Sequence, residues 1–186
     1  MLKTNRLTLR PFRREDLDFI YHLRCDPRIV ESTIGGVQTI EVIAQYLENL
    51  ISHQEKFGYS QLAVFENFSG RFIGSAGITN RTVNREIGEQ SEISYALLPE
   101  FWNQGYASEF MAALLKLAFE DLDIKILAAT TLETNAKSIK LLLKYGFKYI
   151  GKIVPDVFGI EDEVRYYLIA RDEVRSPAID SENHPN

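Results

Sequence analysis

The chain has 186 residues, enough for one domain with a sizeable core, and its 45% hydrophobic content is that of an ordinary globular protein. A net charge of −5 argues against a role in coating nucleic acid, and no window is long and apolar enough to span a membrane. One cysteine, Cys25, excludes an internal disulfide, and three scattered histidines leave no metal-ligand spacing, so no metal is expected. The first ten residues lack the apolar stretch of a signal peptide, and the expected location is cytoplasmic.

In chain order, Leu7 to Phe12 alternates apolar and polar and predicts a strand, with Pro11 favouring an edge or a strand end. Arg14 to Arg24 carries Leu17, Ile20, Tyr21 and Leu23 at helical spacing, and Asp26-Pro27 stops it. Glu31 to Gln38 reads as a loop. Thr39 caps a helix from Ile40 to about His53, with Ile43, Tyr46, Leu47, Leu50 and Ile51 as its apolar stripe. Ser60 to Glu66 and Arg71 to Thr79 are strands joined by the turn Asn67-Phe68-Ser69-Gly70. Gly74 and Gly77 inside the second strand signal a bulge or a close backbone approach. Asn80 to Gln90 is polar, a loop or ragged strand end, and Ser91 to Leu98 is a third strand of this block. A helix follows from Ala107 to Asp121. Ile124 to Thr131 is an apolar strand of the kind buried on both faces. Asn135 to Tyr145 is a helix with Ile139, Leu142 and Leu143 on one side, ended by Gly146 in a left-handed cap. Phe147 to Val154 and Glu163 to Ile169 close the set. Arg175 to Asn186 is polar and reads as a disordered tail, leaving one domain over 1–174. The order implies an α/β (α+β) fold with a mixed sheet and helices on both faces.

The segment Pro99 to Glu109, PEFWNQGYASE, joins a strand to a helix with Gly105 at the turn. The first turn of a helix presents N–H groups without partners and the positive end of the macrodipole, so this segment can cradle a phosphate or pyrophosphate. It resembles the acetyl-CoA pyrophosphate loop of the GNAT N-acetyltransferase superfamily. Asn135-Ala136-Lys137-Ser138 and Lys144-Tyr145-Gly146-Phe147 resemble the second motif of that superfamily. The opening Thr4 to Phe12, with Glu15-Asp16, is similar to the branch of the ribosomal-protein alanine N-acetyltransferases, the RimJ/RimL type. The resemblance covers roughly Leu2 to Arg171.

It implies a mostly antiparallel central sheet of about seven strands, splayed to form a cofactor cleft. It also implies an enzyme moving an acetyl group from acetyl-CoA to a primary amine, a protein N-terminal α-amine or a small molecule, by a monomer or homodimer. A non-catalytic acyl-CoA-binding module is the alternative. The backbone of Asn103, Gln104, Gly105, Tyr106, Ala107 and Ser108 would hold the diphosphate. Tyr95, Ala96 and Leu97 would pair with the pantetheine arm through their backbones, and an N–H near Leu97 would face the oxyanion. Asn135 caps its helix and by resemblance also bonds the cofactor arm. Two positions depart from the superfamily. Trp102 replaces the usual Gln or Arg but is familiar in the RimJ/RimL branch, and Leu142 replaces the frequent tyrosine acid. Ser138 is the proton donor that the branch resemblance implies for the leaving thiolate. Glu92, early on the strand before the loop, is the candidate base, with Glu86, Glu89 and the acidic run Glu161-Asp162-Glu163 as rivals and bulk water as the alternative to any side chain.

Overall fold

The computed structural model describes residues 1–33, 36–156 and 163–175. Among these an eight-stranded sheet runs in the order β1-β2-β3-β4-β5-β6-β8-β7. Its strands are β1 (Leu2–Lys3), β2 (Leu7–Pro11), β3 (Gln61–Glu66), β4 (Phe72–Thr82), β5 (Glu89–Leu97), β6 (Ile126–Thr131), β7 (Lys148–Ile153) and β8 (Val164–Ala170). Every pairing is antiparallel except β5 with β6. The helices are α1 (Leu17–Cys25), α2 (Pro27–Val30), α3 (Ile40–Phe57), α4 (Tyr106–Lys116) and α5 (Ala136–Tyr145).

The sheet separates two layers. On one face α1 and α3 bury Ile20, Leu23, Ile43, Leu47 and Leu50 against Ala63 and Phe72. On the other, α4 and α5 pack Phe110, Met111, Leu114 and Leu142 on Leu7, Val64, Ile93 and Leu97. Strand side chains alternate between faces, so the central strands β3, β4 and β5 contribute to both layers. Thr39 accepts from the Val42 N–H, which starts α3 as its sequence suggests, and the helix runs on past His53 to Gly58, its left-handed C-cap.

Several expectations need adjustment. The two-residue β1 makes the sheet eight strands rather than seven; it is too short for a period to register. Strands β4 and β5 extend into the polar stretch 80–90, because ladder bonds between Thr79 to Thr82 and Glu89 to Glu92 do not require apolar side chains. The helix after Gly105 ends in a π-helical turn, Leu117–Asp121, closed by Leu122 N–H donating to the Leu117 carbonyl at 3.0 Å. Leu143 is exposed and Tyr145, not Leu143, is the buried partner of Leu142. On β6 the buried run is Leu127 to Ala129, with Ile126 half in solvent. Gly74 and Gly77 are both sites of close approach: a Cβ at Gly74 would lie 2.2 Å from the Ala96 carbonyl oxygen, and one at Gly77 2.3 Å from that of Ser60. The tail from Ser176 onward, the loop residues Ile34 and Gly35, and Glu161 and Asp162 of the acidic run lie outside the described residues. No described helix is long and apolar enough to cross a membrane.

Candidate active site

Strands β5 and β6 are neighbours, yet one parallel bridge, Glu92 with Ala128, is their whole register. Past it the strands diverge. The backbone of β5 then has a partner on one side only. Leu98 N–H donates to Ile73 on β4 at 2.9 Å. Backbone groups alternate along a strand, so those of Tyr95 and Leu97 face the gap. The Leu97 carbonyl confirms the direction, because the Trp102 indole N–H reaches it from outside the sheet at 2.7 Å. Trp102 is therefore more than packing: it fixes the peptide at the end of β5 and borders the cavity. The Lys137 ammonium sits 4.2 Å from the centre of its ring.

At the open end of the gap lies the α4 N-terminus. Asn103 and Gly105 both adopt positive φ, 60° and 81°. No side chain caps the helix, and its first backbone bond is Glu109 N–H to the Gly105 carbonyl at 3.1 Å. The amides of Tyr106, Ala107 and Ser108 thus lack intrahelical acceptors. The loop is propped from behind. Glu109 accepts from the Thr4 hydroxyl at 2.6 Å and from the Arg6 N–H and Nε at 2.7 Å each. Arg6 also donates to the Gln104 carbonyl at 3.0 Å and lies over the Tyr106 ring. Gln104 is the one expected loop residue that does not border the cavity; its side chain turns back to the Glu100 carbonyl.

Helix α5 forms the opposite wall. The Asn135 side chain accepts from Ser138 N–H at 3.0 Å, which is the expected cap, and its amide nitrogen donates to the Ser32 carbonyl at 3.0 Å. That second bond ties α5 to the segment after α2. Ser138 Oγ lies 3.0 Å from the Tyr95 hydroxyl. Burial pushes the Tyr95 phenol up to about 12, against a smaller opposing effect of the Ser138 bond, so it stays neutral at any physiological pH. The sequence reading gave Tyr95 a backbone role alone; its side chain also belongs to the site. Lys137, Lys140 and Lys144 border the cavity from α5 at spacings of three and four, one face of the helix. The same spacing was readable in the sequence and points to an anion. Leu142 is core, and the Tyr145 hydroxyl donates to the Ser108 carbonyl at 2.5 Å, joining α5 to α4.

Glu92 occupies the other face of β5. It is 3% exposed, not the solvated strand residue that a surface pairing would give. Its Oε1 accepts from Arg81 Nη2 at 3.2 Å and from the Thr130 hydroxyl at 2.5 Å, while Arg81 Nε contacts Oε2. Oε1 holds two hydrogen bonds, while Oε2 is buried against Arg81 Nε and accepts no hydrogen bond among the described residues, so an incoming amine meets a carboxylate already paired with a cation. Of the rivals, Glu86 and Glu89 are exposed on the β4–β5 turn and its edge, and Glu163 is 3.9 Å from Lys152. Glu92 and Ser138 therefore flank the gap from opposite faces of β5. The loop, the α5 lysines, Tyr95, Ser138, Glu92 and residues of α1–α3 all border one continuous cavity of about 980 Å³.

A family model described as an acetyltransferase (GNAT) domain matches residues 6–148. An uncharacterized N-acetyltransferase of Bacillus subtilis, YoaA, is 27% identical over 155 residues, 81% of this chain and 84% of that protein. Among solved structures, the spermidine N-acetyltransferase of Vibrio cholerae in complex with CoA and spermine superposes with a TM-score of 0.71 at 20% identity, covering 90% of this chain and 97% of the other. RimL, a ribosomal L7/L12 α-N-protein acetyltransferase in complex with coenzyme A, gives 0.72 at 18%, covering 91% and 97%. The two scores are equal within their meaning, so the fold is common to both and the RimJ/RimL branch is not singled out. The chain belongs to the GNAT acetyltransferase family and is an N-acetyltransferase.

Proposed function

We propose that the protein moves the acetyl group of acetyl-CoA directly to a primary amine, either a protein N-terminal α-amine, as the RimJ/RimL-like opening motif suggests, or a small molecule. The observation that carries the reading is the parting of β5 from β6 beside an uncapped helix end. Free amides at Tyr106 to Ser108 suit a diphosphate, and the lysines of α5 supply countercharge. The stretch Tyr95 to Leu97, with the backbone groups of Tyr95 and Leu97 facing the gap, suits an extended pantetheine arm, added as a strand would be.

The faces of β5 then divide the chemistry. The amine approaches from the α1–α3 side, and its nitrogen forms a bond to the thioester carbon. The Leu97 N–H, directed into the gap, faces the developing oxyanion. As the C–S bond breaks, the sulfur leaves toward α5 and takes a proton or hydrogen bond from the Ser138 hydroxyl, which Tyr95 orients. The amine proton passes to Glu92 through water on the other face. No acyl-enzyme is required, since Cys25 lies outside this cavity's lining.

The test is thiol release from acetyl-CoA with a panel of primary amines and N-terminal peptides, products identified by mass spectrometry. Wild type transfers; Ser138→Ala and Glu92→Gln each slow turnover by about a hundredfold, the scale of a positioned acid or base. Unchanged turnover in both variants removes these two residues from the mechanism.

A further inference from the structure

We propose that the accepted amine carries a carboxylate and that Arg24 receives it. The inference rests on the acetyl-transfer reading above and concerns the cavity half on the α1–α3 side of β5. Five charged side chains border that half: Arg24, Arg28, Arg81, Glu31 and Glu92. Two of the arginines are matched. Arg81 is engaged by Glu92, and Arg28 pairs with Asp26 at 2.7 Å. Glu31 is exposed at the rim, where water screens its charge.

Arg24 is different. Its Nε donates to a neutral amide, Gln38 Oε1, at 2.9 Å, and its guanidinium carbon stands 4.3 Å from the centre of the Tyr46 ring. No carboxylate among the described residues pairs with it, and neither Nη has a protein acceptor there. The planar fork is thus held on its edge by Gln38 and on its face by Tyr46, with its two terminal donors left for a ligand. That is the geometry a carboxylate meets with two parallel bonds. Half-burial beside Leu23 and Leu50 raises the strength of such a pair above its value in water. Behind it Gln61 and Ser75, both buried, are joined by a bond of 3.1 Å, and the Tyr46 hydroxyl donates to Gln61. This wall is polar and already satisfied, so it offers no net negative charge to a polycation. An acceptor rich in ammonium groups would set one of them against Arg24.

The test compares wild type with Arg24→Met. Acceptors are the proteinogenic amino acids, β-alanine and γ-aminobutyrate, each beside its carboxamide, together with spermidine. Thiol release gives kcat/KM for each. The expected result is a preference for carboxylates over their carboxamides of about ten- to a hundredfold, the range of a charge-assisted hydrogen-bond pair. In Arg24→Met that ratio falls to near one, with the KM for acetyl-CoA unchanged. Carboxamides or spermidine used as well as the carboxylates overturn the proposal. A second measurement is independent of turnover: calorimetric titration of the CoA-loaded protein with N-acetyl amino acids and their amides. Carboxylate-selective binding that Arg24→Met abolishes supports the anion site even if none of these amines is acetylated; absence of transfer to them and to N-terminal peptides alike would sink the acetyl-transfer reading alone. Equal binding of acids and amides overturns the anion site whatever the turnover.

Discussion

Substitution of Gly74 by alanine tests whether the β5 backbone is part of the acetyl-CoA site. The new methyl would stand 2.2 Å from the Ala96 carbonyl oxygen and 2.9 Å from the Leu97 Cα. Both are backbone atoms, so no rotamer change relieves the overlap, and β5 must move by about 1 Å to reach ordinary contact. Overpacking of this kind costs about 1–3 kcal/mol. A φ of 154° is one that residues with a Cβ rarely adopt, and such strain adds about 1 kcal/mol or more. A total near 3–4 kcal/mol lowers the melting temperature by about 6–16 °C in a chain of this size.

Gly77→Ala is the control. Its methyl would meet the Ser60 carbonyl at 2.3 Å and the Gln61 Cα at 2.4 Å, so it pushes on β3, away from the gap. Both variants are expected to melt early, but only Gly74→Ala shifts the strand that faces the thioester. Its KM for acetyl-CoA should rise about tenfold or more, since a 1 Å misplacement can cost up to about a hundredfold. The assays are thermal melting by circular dichroism and thiol release at varied acetyl-CoA. A Gly74→Ala protein with native melting and native KM would exclude the β5 backbone from the acetyl-CoA site. So would a Gly77→Ala protein whose KM rises equally.

Further outcomes follow from other contacts. Tyr95→Phe and Ser138→Ala should lower kcat by similar factors, and the double variant should be no worse than the worse single one, because the two hydroxyls act as a unit; additive losses would separate them. Glu109→Ala removes three hydrogen bonds to Thr4 and Arg6, costs about 1–3 kcal/mol, and should weaken CoA binding measured by calorimetry, because the Gln104–Gly105 turn loses its prop. For Asp16, burial favours the neutral acid, but hydrogen bonds from the Arg10 guanidinium and the Arg13 N–H outweigh it and hold the carboxyl below its ordinary value. Its ionised form therefore stabilises the fold above the unfolded value near about pH 4, and that contribution disappears as pH falls through the lower folded value. Urea midpoints should drop steeply below that pH in wild type and less so in Asp16→Asn. Tyr95 works in the opposite direction: with its phenol raised to about 12, stability is lost as pH rises from about 10 toward that value, and Tyr95→Phe should blunt this alkaline limb.

Much of the fold was legible because its signals are local. The helical stripe of Ile43, Leu47 and Leu50, the cap at Thr39, and the turn at Gly146 each follow from a few adjacent residues. The glycine loop was legible for the same reason. The contacts that complete the site are not local. Thr4 and Arg6 read as part of an opening motif and Glu109 as the end of another, yet they meet across the sheet, and only the fold brings β2 against α4. Tyr95 could not be told from a filler of β5 until α5 placed Ser138 within hydrogen-bond distance. Glu92 was legible as a candidate base, but its burial was not, because a glutamate among polar residues looks like a surface strand. Its burial follows from the neighbouring strands, where Arg81 balances its charge and the Thr130 hydroxyl donates to it. Arg24 carried no signal of its own, since a basic residue ending a helix is ordinarily solvated.

The most direct measurement is a crystal structure of the protein grown with CoA. The diphosphate is expected on the amides of Gly105 to Ser108, the pantetheine arm along Tyr95 to Leu97, and the sulfur beside the Ser138 hydroxyl. CoA bound elsewhere, or a gap between β5 and β6 that closes with the ligand outside it, would rule out this gap as the acetyl-CoA site.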